Sequence, residues 1–216
     1  MLLLSHKLNI KTPGFNNSET IKIKPVKEIK NGGSSNNYNI SLPNHSGTHI
    51  DSSKHFDDKG KSIAEYSIEN FIFKNTKVID ITKEESELIT DNDLERYKKI
   101  MLETDLLLIR TGFQKYRDID PVKYSVYNPG MSADAANYIR KFSNIKAIGL
   151  DIISLSAVQN RDEGRLAHRN LLENNDFFII EDMNLKDYTT EYPKIYVIPI
   201  FIEGVDSVPC TVFAEK

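Results

Sequence analysis

Residues 45–56 read His45-Ser46-Gly47-Thr48-His49-Ile50-Asp51-Ser52-Ser53-Lys54-His55-Phe56, and three of the chain's five histidines fall within them. The lead-in, Tyr38-Asn39-Ile40-Ser41-Leu42, alternates apolar and polar residues at the period of a half-buried strand. Side chains two apart on a strand share a face. A strand that runs on through the motif points His45, His49 and Asp51 one way, and Gly47 leaves space between the histidines. Thr48 and Ile50 then point the other way and pack. Two imidazoles and a carboxylate on one face are a donor set for zinc, manganese or iron(II). Three protein ligands leave a coordination position open, which distinguishes a catalytic ion from a structural one. His55 lies four residues past Asp51, beyond the strand pattern, and can fold back beside the ion without binding it. The full H-x-G-T-H-x-D-x-x-x-H spacing is far more specific than a lone histidine pair.

A chain of 216 residues supports one domain with a real core, and no internal repeat or low-complexity linker divides it. Residues 1–216 are therefore read as a single domain. The net charge of −3 leaves no electrostatic footprint for nucleic acid or an anionic membrane. No apolar run reaches the length of a membrane span, and the start lacks the pattern of a signal peptide. A single cysteine, Cys210, excludes an intrachain disulfide and fits a reducing compartment, so the expected location is cytoplasmic. Cys210 sits in the apolar run 208–213 and reads as a small buried filler rather than a nucleophile.

Further along, residues 1–10 read as a short strand, and 19–29 as a strand exposed on one face. A turn at 31–37 joins the latter to the strand that carries the motif, giving a β-hairpin that feeds the site. Residues 76–81, 105–110, 145–151, 177–180, 195–200 and 208–214 read as strands, that over 105–110 buried on both faces. Helices are expected from Asp91, from an N-cap at Ser132 through Phe142, and over 165–172 with His168 on it. Residues 113–130, with Phe113, Tyr116, Tyr124 and Tyr127, read either as the wall of a substrate pocket or as surface packing or a subunit contact. His6, without a partner nearby in sequence, reads as structural. Spacing alone does not make His168, or Glu181 at the end of an apolar strand, a ligand.

The whole chain resembles the cyclase family of metal-dependent hydrolases, which includes kynurenine formamidase and isatin hydrolase. The likeness rests first on His45-Ser46-Gly47-Thr48-His49-Ile50-Asp51 with His55-Phe56. It continues in Leu108 to Gly112, Ile148 to Asp151, His168 to Leu172, Ile179 to Asp182 and Glu203 to Pro209. The resemblance implies a swivelling α/β (α+β) domain of β/β/α type, a strand-rich sheet closing toward a barrel with a few flanking helices. It implies that His45, His49 and Asp51 bind one divalent metal, with Asp51 bridging to a second held by His168 and Glu181, and that His55 is the general acid/base. Zn2+ is the first choice and Mn2+ the second, with one or two ions per chain. It also implies a homodimer or homotetramer in which a neighbouring subunit completes the pocket.

Two departures bear on the substrate. The family commonly places an alanine-proline pair after the metal aspartate, where this chain has Ser52-Ser53, which predicts a looser or more polar pocket. The chain also has no tryptophan to hold an aryl ring as kynurenine formamidases do. The expected activity is hydrolysis of a C–N amide bond in a small molecule, an aryl formamide or a cyclic amide. Hydrolysis of a lactone or ester, a cyclisation, and metal binding without turnover stand as alternatives.

Overall fold

The computed structural model describes residues 1–18, 20–189 and 192–215. The strands are β1 (Leu2–Leu3), β2 (Lys22–Lys27), β3 (Asn37–Ser41), β4 (His49–Asp51), β5 (Ile72–Phe73), β6 (Thr76–Asp80), β7 (Leu88–Ile89), β8 (Leu106–Arg110), β9 (Gly130–Met131), β10 (Ala147–Leu150), β11 (Phe178–Glu181), β12 (Lys194–Pro199) and β13 (Ser207–Glu215). The helices are α1 (Asp91–Glu95), α2 (Lys98–Met101), α3 (Pro121–Val126), α4 (Ala133–Ile139) and α5 (Arg161–Leu172). The main sheet runs β5-β12-β13-β4-β11-β10-β8-β6, with β1 paired to β13. It curls toward a barrel and carries few helices, as the family resemblance implied.

One half of this sheet, from β6 to β11, is parallel, and the other half is antiparallel. The parallel half reads in sequence as continuous apolar runs because both faces are covered. Leu107 and Ile109 face the core under α4 and α5, while Leu106 and Leu108 face a second core with Ile50, Ile180 and Val208. Helix α4 starts where Ser132 Oγ accepts the Ala135 amide, and α1 where Thr90 and Asp93 cap each other reciprocally. Helix α5 is the crossover between the parallel strands β10 and β11, and it begins earlier than its apolar pattern, at Arg161.

Three expectations need correction. The motif is not one strand: β3 ends at Ser41, and Pro43 and Gly47 interrupt it before β4 starts at His49. Proline cannot donate to a ladder, and Gly47 has φ +61°, a left-handed backbone that glycine adopts without strain. A side chain at Gly47 would run into Leu8, so the glycine serves backbone conformation and close approach rather than space between histidines. The strand read over 19–29 shrinks to β2, which pairs only with β3 and is exposed on both faces; Glu19 lies outside the described residues. The short strand read over 1–10 is limited to β1, where pairing with β13 stops at Leu3.

Residues 113–130 resolve the other way from a pocket wall. Phe113 and Tyr124 are wholly buried in the core. Arg117, also buried, donates two hydrogen bonds of 2.7 Å to Asp182, and Tyr124 Oη donates a third at 2.6 Å. Asp182 has φ +51° and directly follows Glu181. Thr48 Oγ1 donates to the Asp182 carbonyl at 2.5 Å, tying the same corner to the histidine motif. Removing one partner of such a buried pair typically costs about 3–5 kcal/mol, so this corner is held rigidly.

Candidate metal centre

Strand β4 is three residues long and wholly buried, and it lies between β11 and β13, antiparallel to both. Its register sets the site. Glu181 stands opposite His49 on one side, and Ser207 stands opposite Asp51 on the other. Directly opposed residues share a face, so His49, Asp51 and Glu181 emerge together while Ile50 enters the core. His168 arrives from α5. His45 arrives from the loop before β4 and His55 from the short turn after it.

The donor atoms converge. His45 Nδ1 lies 3.2 Å from Asp51 Oδ1, and His49 Nε2 lies 3.6 Å from the same oxygen. His49 Nε2 is 3.2 Å from Glu181 Oε2, and His168 Nε2 is 3.4 Å from Glu181 Oε1. Two ligands of one ion, each about 2.1 Å from it at tetrahedral angles, stand about 3.4 Å apart. Three groups among the described residues are able to hold an ion: His45, His49 and Asp51; Asp51, His55 and His168; and His45, His55 and Asp206. Asp51 is common to the first two, and Glu181, in none of them, reaches the cluster through His49 and His168.

The remaining ring nitrogens are already committed. His49 Nδ1 donates to the Gly47 carbonyl at 2.8 Å, and His168 Nδ1 to the Gly164 carbonyl at 2.8 Å. Each bond directs Nε2 into the site, as outer partners of metal-binding histidines do. Both Asp51 oxygens and His49 Nε2 are buried without an aligned hydrogen-bond partner among the described residues. A buried carboxylate left in that state is costly, and a cation among these donors removes the cost. The donor set fits a divalent metal.

Without an ion the carboxylates hold protons on the imidazoles. Burial lowers the His45 pKa, but the charge of Asp51 and the hydrogen bond to Asp206 override it and raise it to about 10. Burial likewise disfavours charge on His49 and His168, and the neighbouring acids still raise both. Glu181 is raised by burial yet brought down to about 2 by His168 and His49, and the histidines around Asp51 outweigh its burial and hold it well below the usual carboxylate range.

Sequence reasoning missed Asp206 as a site residue. Its Oδ2 is 2.6 Å from His55 Nδ1 and 3.0 Å from His45 Nε2, bridging the two histidines outside the β4 face. Its position one residue before Ser207, and hence beside Asp51, depends on the pairing of chain positions some 150 apart. The motif serines are also reassigned. Ser52 donates through both its amide and its hydroxyl to the Asp206 carbonyl, each at 2.9 Å. Ser53 bonds Tyr66 Oη at 3.1 Å and accepts the Lys61 amide at 3.0 Å. Neither lines the cavity, so the expected looser, more polar pocket is not what they produce. Instead they fasten the His55 loop. His6 joins none of the ligand groups, and Cys210 is buried with its thiol pushed up by burial.

A cavity of about 480 Å3 opens over these groups, walled by Phe15, Pro43, Phe56 and Ile153 and floored by His45, His49, His168 and Glu181. Phe56 stacks on His168 at 5.0 Å between ring centroids.

Residues 2–157 match the family model described as Cyclase. The chain belongs to the cyclase family. Among its relatives, an uncharacterized protein of Haemophilus influenzae is 37% identical over 110 residues, 50% of this chain and 78% of that protein. A kynurenine formamidase of Bacillus thuringiensis is 27% identical over 177 residues, 82% of this chain and 78% of its own length. An isatin hydrolase solved with the product analogue thioisatinate superposes with a TM-score of 0.79 at 19% identity, covering 99% of this chain and 92% of that one. At that identity the likeness is one of fold. No helix among the described residues is long and apolar enough to cross a membrane.

Because His45 holds its proton up to about pH 10, a metal must displace protons from this cyclase-family site. Calorimetric metal titration in buffers of different ionisation enthalpy should show proton release, with apparent affinity rising from about pH 6 to about pH 9. An affinity that is flat over that range, with no proton release, contradicts the protonated metal-free site.

Proposed function

We propose that the chain is a metal-dependent hydrolase that cleaves the C–N bond of a small amide, either an aryl formamide or a cyclic amide. The observation that carries this reading is Asp51, a fully buried carboxylate ringed by His45, His49, His55 and His168 with neither oxygen hydrogen-bonded. The kynurenine formamidase relative and the isatin hydrolase fold neighbour support hydrolysis as the chemistry. His45, His49 and Asp51 would hold one ion, and Asp51, His168 and Glu181 a second, with Zn2+ favoured over Mn2+.

When bound, a divalent ion lowers the pKa of water toward about 7 and polarises a carbonyl oxygen. His55 carries the proton. Its Nδ1 stands 2.6 Å from Asp206 Oδ2, and a carboxylate that can only accept there supports a proton on Nδ1 and a lone pair on Nε2. That pair takes the proton of the attacking water and returns it to the leaving nitrogen as the C–N bond breaks. Asp206 steadies the imidazolium formed in between, the part played by the third member of a nucleophile–base–orienter set. Phe15 and Phe56 add apolar wall to the cavity beside these groups.

The same reading takes the chain as a homodimer or homotetramer. Ile23, Val26, Tyr38 and Ile40 of the β2–β3 ribbon are exposed, and an isolated two-stranded ribbon is marginally stable in water. Light scattering that returns a monomer contradicts this assignment.

His55→Ala should keep its fold and metal content while kcat drops by about 10²- to 10⁴-fold on a panel of formamides and cyclic imides. Unchanged kcat would remove the proton role. Loss of metal from this variant, read by elemental analysis, would instead make His55 a ligand.

A further inference from the structure

The loop that carries His55 is held by polar contacts rather than by apolar packing. Of residues 53–61 only Ser53 is buried, and Phe56 is the only apolar side chain among them. Ser53 Oγ lies 3.1 Å from Tyr66 Oη, and Tyr66 Oη lies 3.3 Å from Asp176 Oδ1. A carboxylate can only accept, so the single phenolic proton goes to Asp176 and the Ser53 hydroxyl donates to Tyr66. Ser53 Oγ in turn accepts the Lys61 amide at 3.0 Å. The bonds therefore run in one direction, from the Lys61 amide through Ser53 and Tyr66 to Asp176. Burial pushes the Tyr66 phenol up to about 12, so it keeps the proton it donates.

The far end of this chain of bonds lies in the connector between α5 and β11. A second tie reaches the same connector, where the Asn174 amide donates to Asp57 Oδ2 at 3.3 Å. Helix α5 carries His168 and β11 carries Glu181. The loop of His55 is thus fastened to the stretch that joins those two residues, although Tyr66 and Asp176 are 110 positions apart. The rings of His55 and His168 come to stand 5.6 Å apart, centre to centre.

The aromatic packing of Tyr66 does not depend on its hydroxyl. The ring sits edge-on to Phe178 at 4.7 Å and near Phe71, contacts that a phenylalanine makes equally well. Replacing both partners of a buried hydrogen bond by apolar groups of the same shape is close to neutral for stability. What the two hydroxyls add is direction, a fixed distance between the loop and the connector.

We propose that Tyr66 is a positioning residue that, through Ser53 and Asp176, holds His55 in place against His168 and Glu181. The proposal rests on the hydrolase reading above and deepens the role given there to His55. Misplacing a reacting group by about 1 Å costs on the order of 10²-fold in rate, so a loosened loop is read in kcat before it is read in stability.

The test uses Tyr66→Phe, Ser53→Ala/Tyr66→Phe and Ser53→Pro/Tyr66→Phe, assayed on a panel of formamides and cyclic imides. Tyr66→Phe should lower kcat about 10- to 100-fold with KM within about twofold and metal content unchanged. Ser53→Ala/Tyr66→Phe should show the same loss while its Tm stays close to that of the wild type. Ser53→Pro/Tyr66→Phe should recover most of the kcat, because Ser52 is extended and Ser53 opens a 3-10 turn, a place where proline stiffens the chain without strain. Hydrogen exchange of the amides over 53–61 reads the same restraint without turnover: it should quicken in Tyr66→Phe and slow again with Ser53→Pro. Unchanged kcat in an active Tyr66→Phe protein, or unchanged exchange over 53–61, overturns the proposal. A Ser53→Ala/Tyr66→Phe protein whose Tm falls along with kcat makes the pair a stability element and overturns it as well. A wild type with no turnover on the panel, alongside exchange that responds as expected, overturns the hydrolase reading and leaves the restraint standing.

Discussion

The fold is arranged around a buried carboxylate whose charge is compensated by groups brought in from distant parts of the chain. Asp51 is fully buried at the end of a three-residue strand, and neither of its oxygens has a hydrogen-bond partner among the described residues. Burying an ionised carboxylate is tolerable only beside compensating positive charge. That charge comes from histidines delivered by four separate pieces of chain: the loop before β4, β4 itself, the turn after it and helix α5. Their protons fill the role in the metal-free state, and a divalent ion would fill it better. Pro43 and Gly47 interrupt the chain ahead of β4, and His45 stands in the loop between them.

Behind these groups the protein spends much of its buried polarity on orientation. The Gly47 and Gly164 carbonyls fix the tautomers of His49 and His168. Arg117 and Tyr124 lock Asp182, and with it the backbone next to Glu181. Ser52 clamps the backbone of Asp206, whose carboxylate then spans His45 and His55. A functional constellation must be held to within a fraction of an ångström, and these contacts come from helices and loops outside β4.

How much of this was legible in the sequence follows the range of the interactions involved. The H-x-G-T-H-x-D-x-x-x-H cluster was legible because its members are neighbours in the chain, and the buried parallel strands because double-sided burial leaves continuous apolar runs. His168 and Glu181 needed the family resemblance, since only the β4–β11 register brings Glu181 opposite His49. Asp206 escaped because nothing local marks an aspartate before a strand, and its importance appears only when β13 pairs with β4. Ser52 and Ser53 misled in a related way. As residue types they suggested a polar pocket, whereas their hydroxyls turn inward and fasten the loop. The aromatic segment 113–130 read equally as wall or packing, and the burial of Phe113 and Tyr124 decides for packing.

The central claim is that Asp51 is the shared donor on which the whole metal centre depends. Elemental analysis of the purified wild type and of Asp51→Ala, both confirmed as folded by circular dichroism, tests it most directly. The wild type should carry one or two divalent ions per chain and the variant should carry essentially none. An Asp51→Ala protein that retains the wild-type metal content would contradict the account.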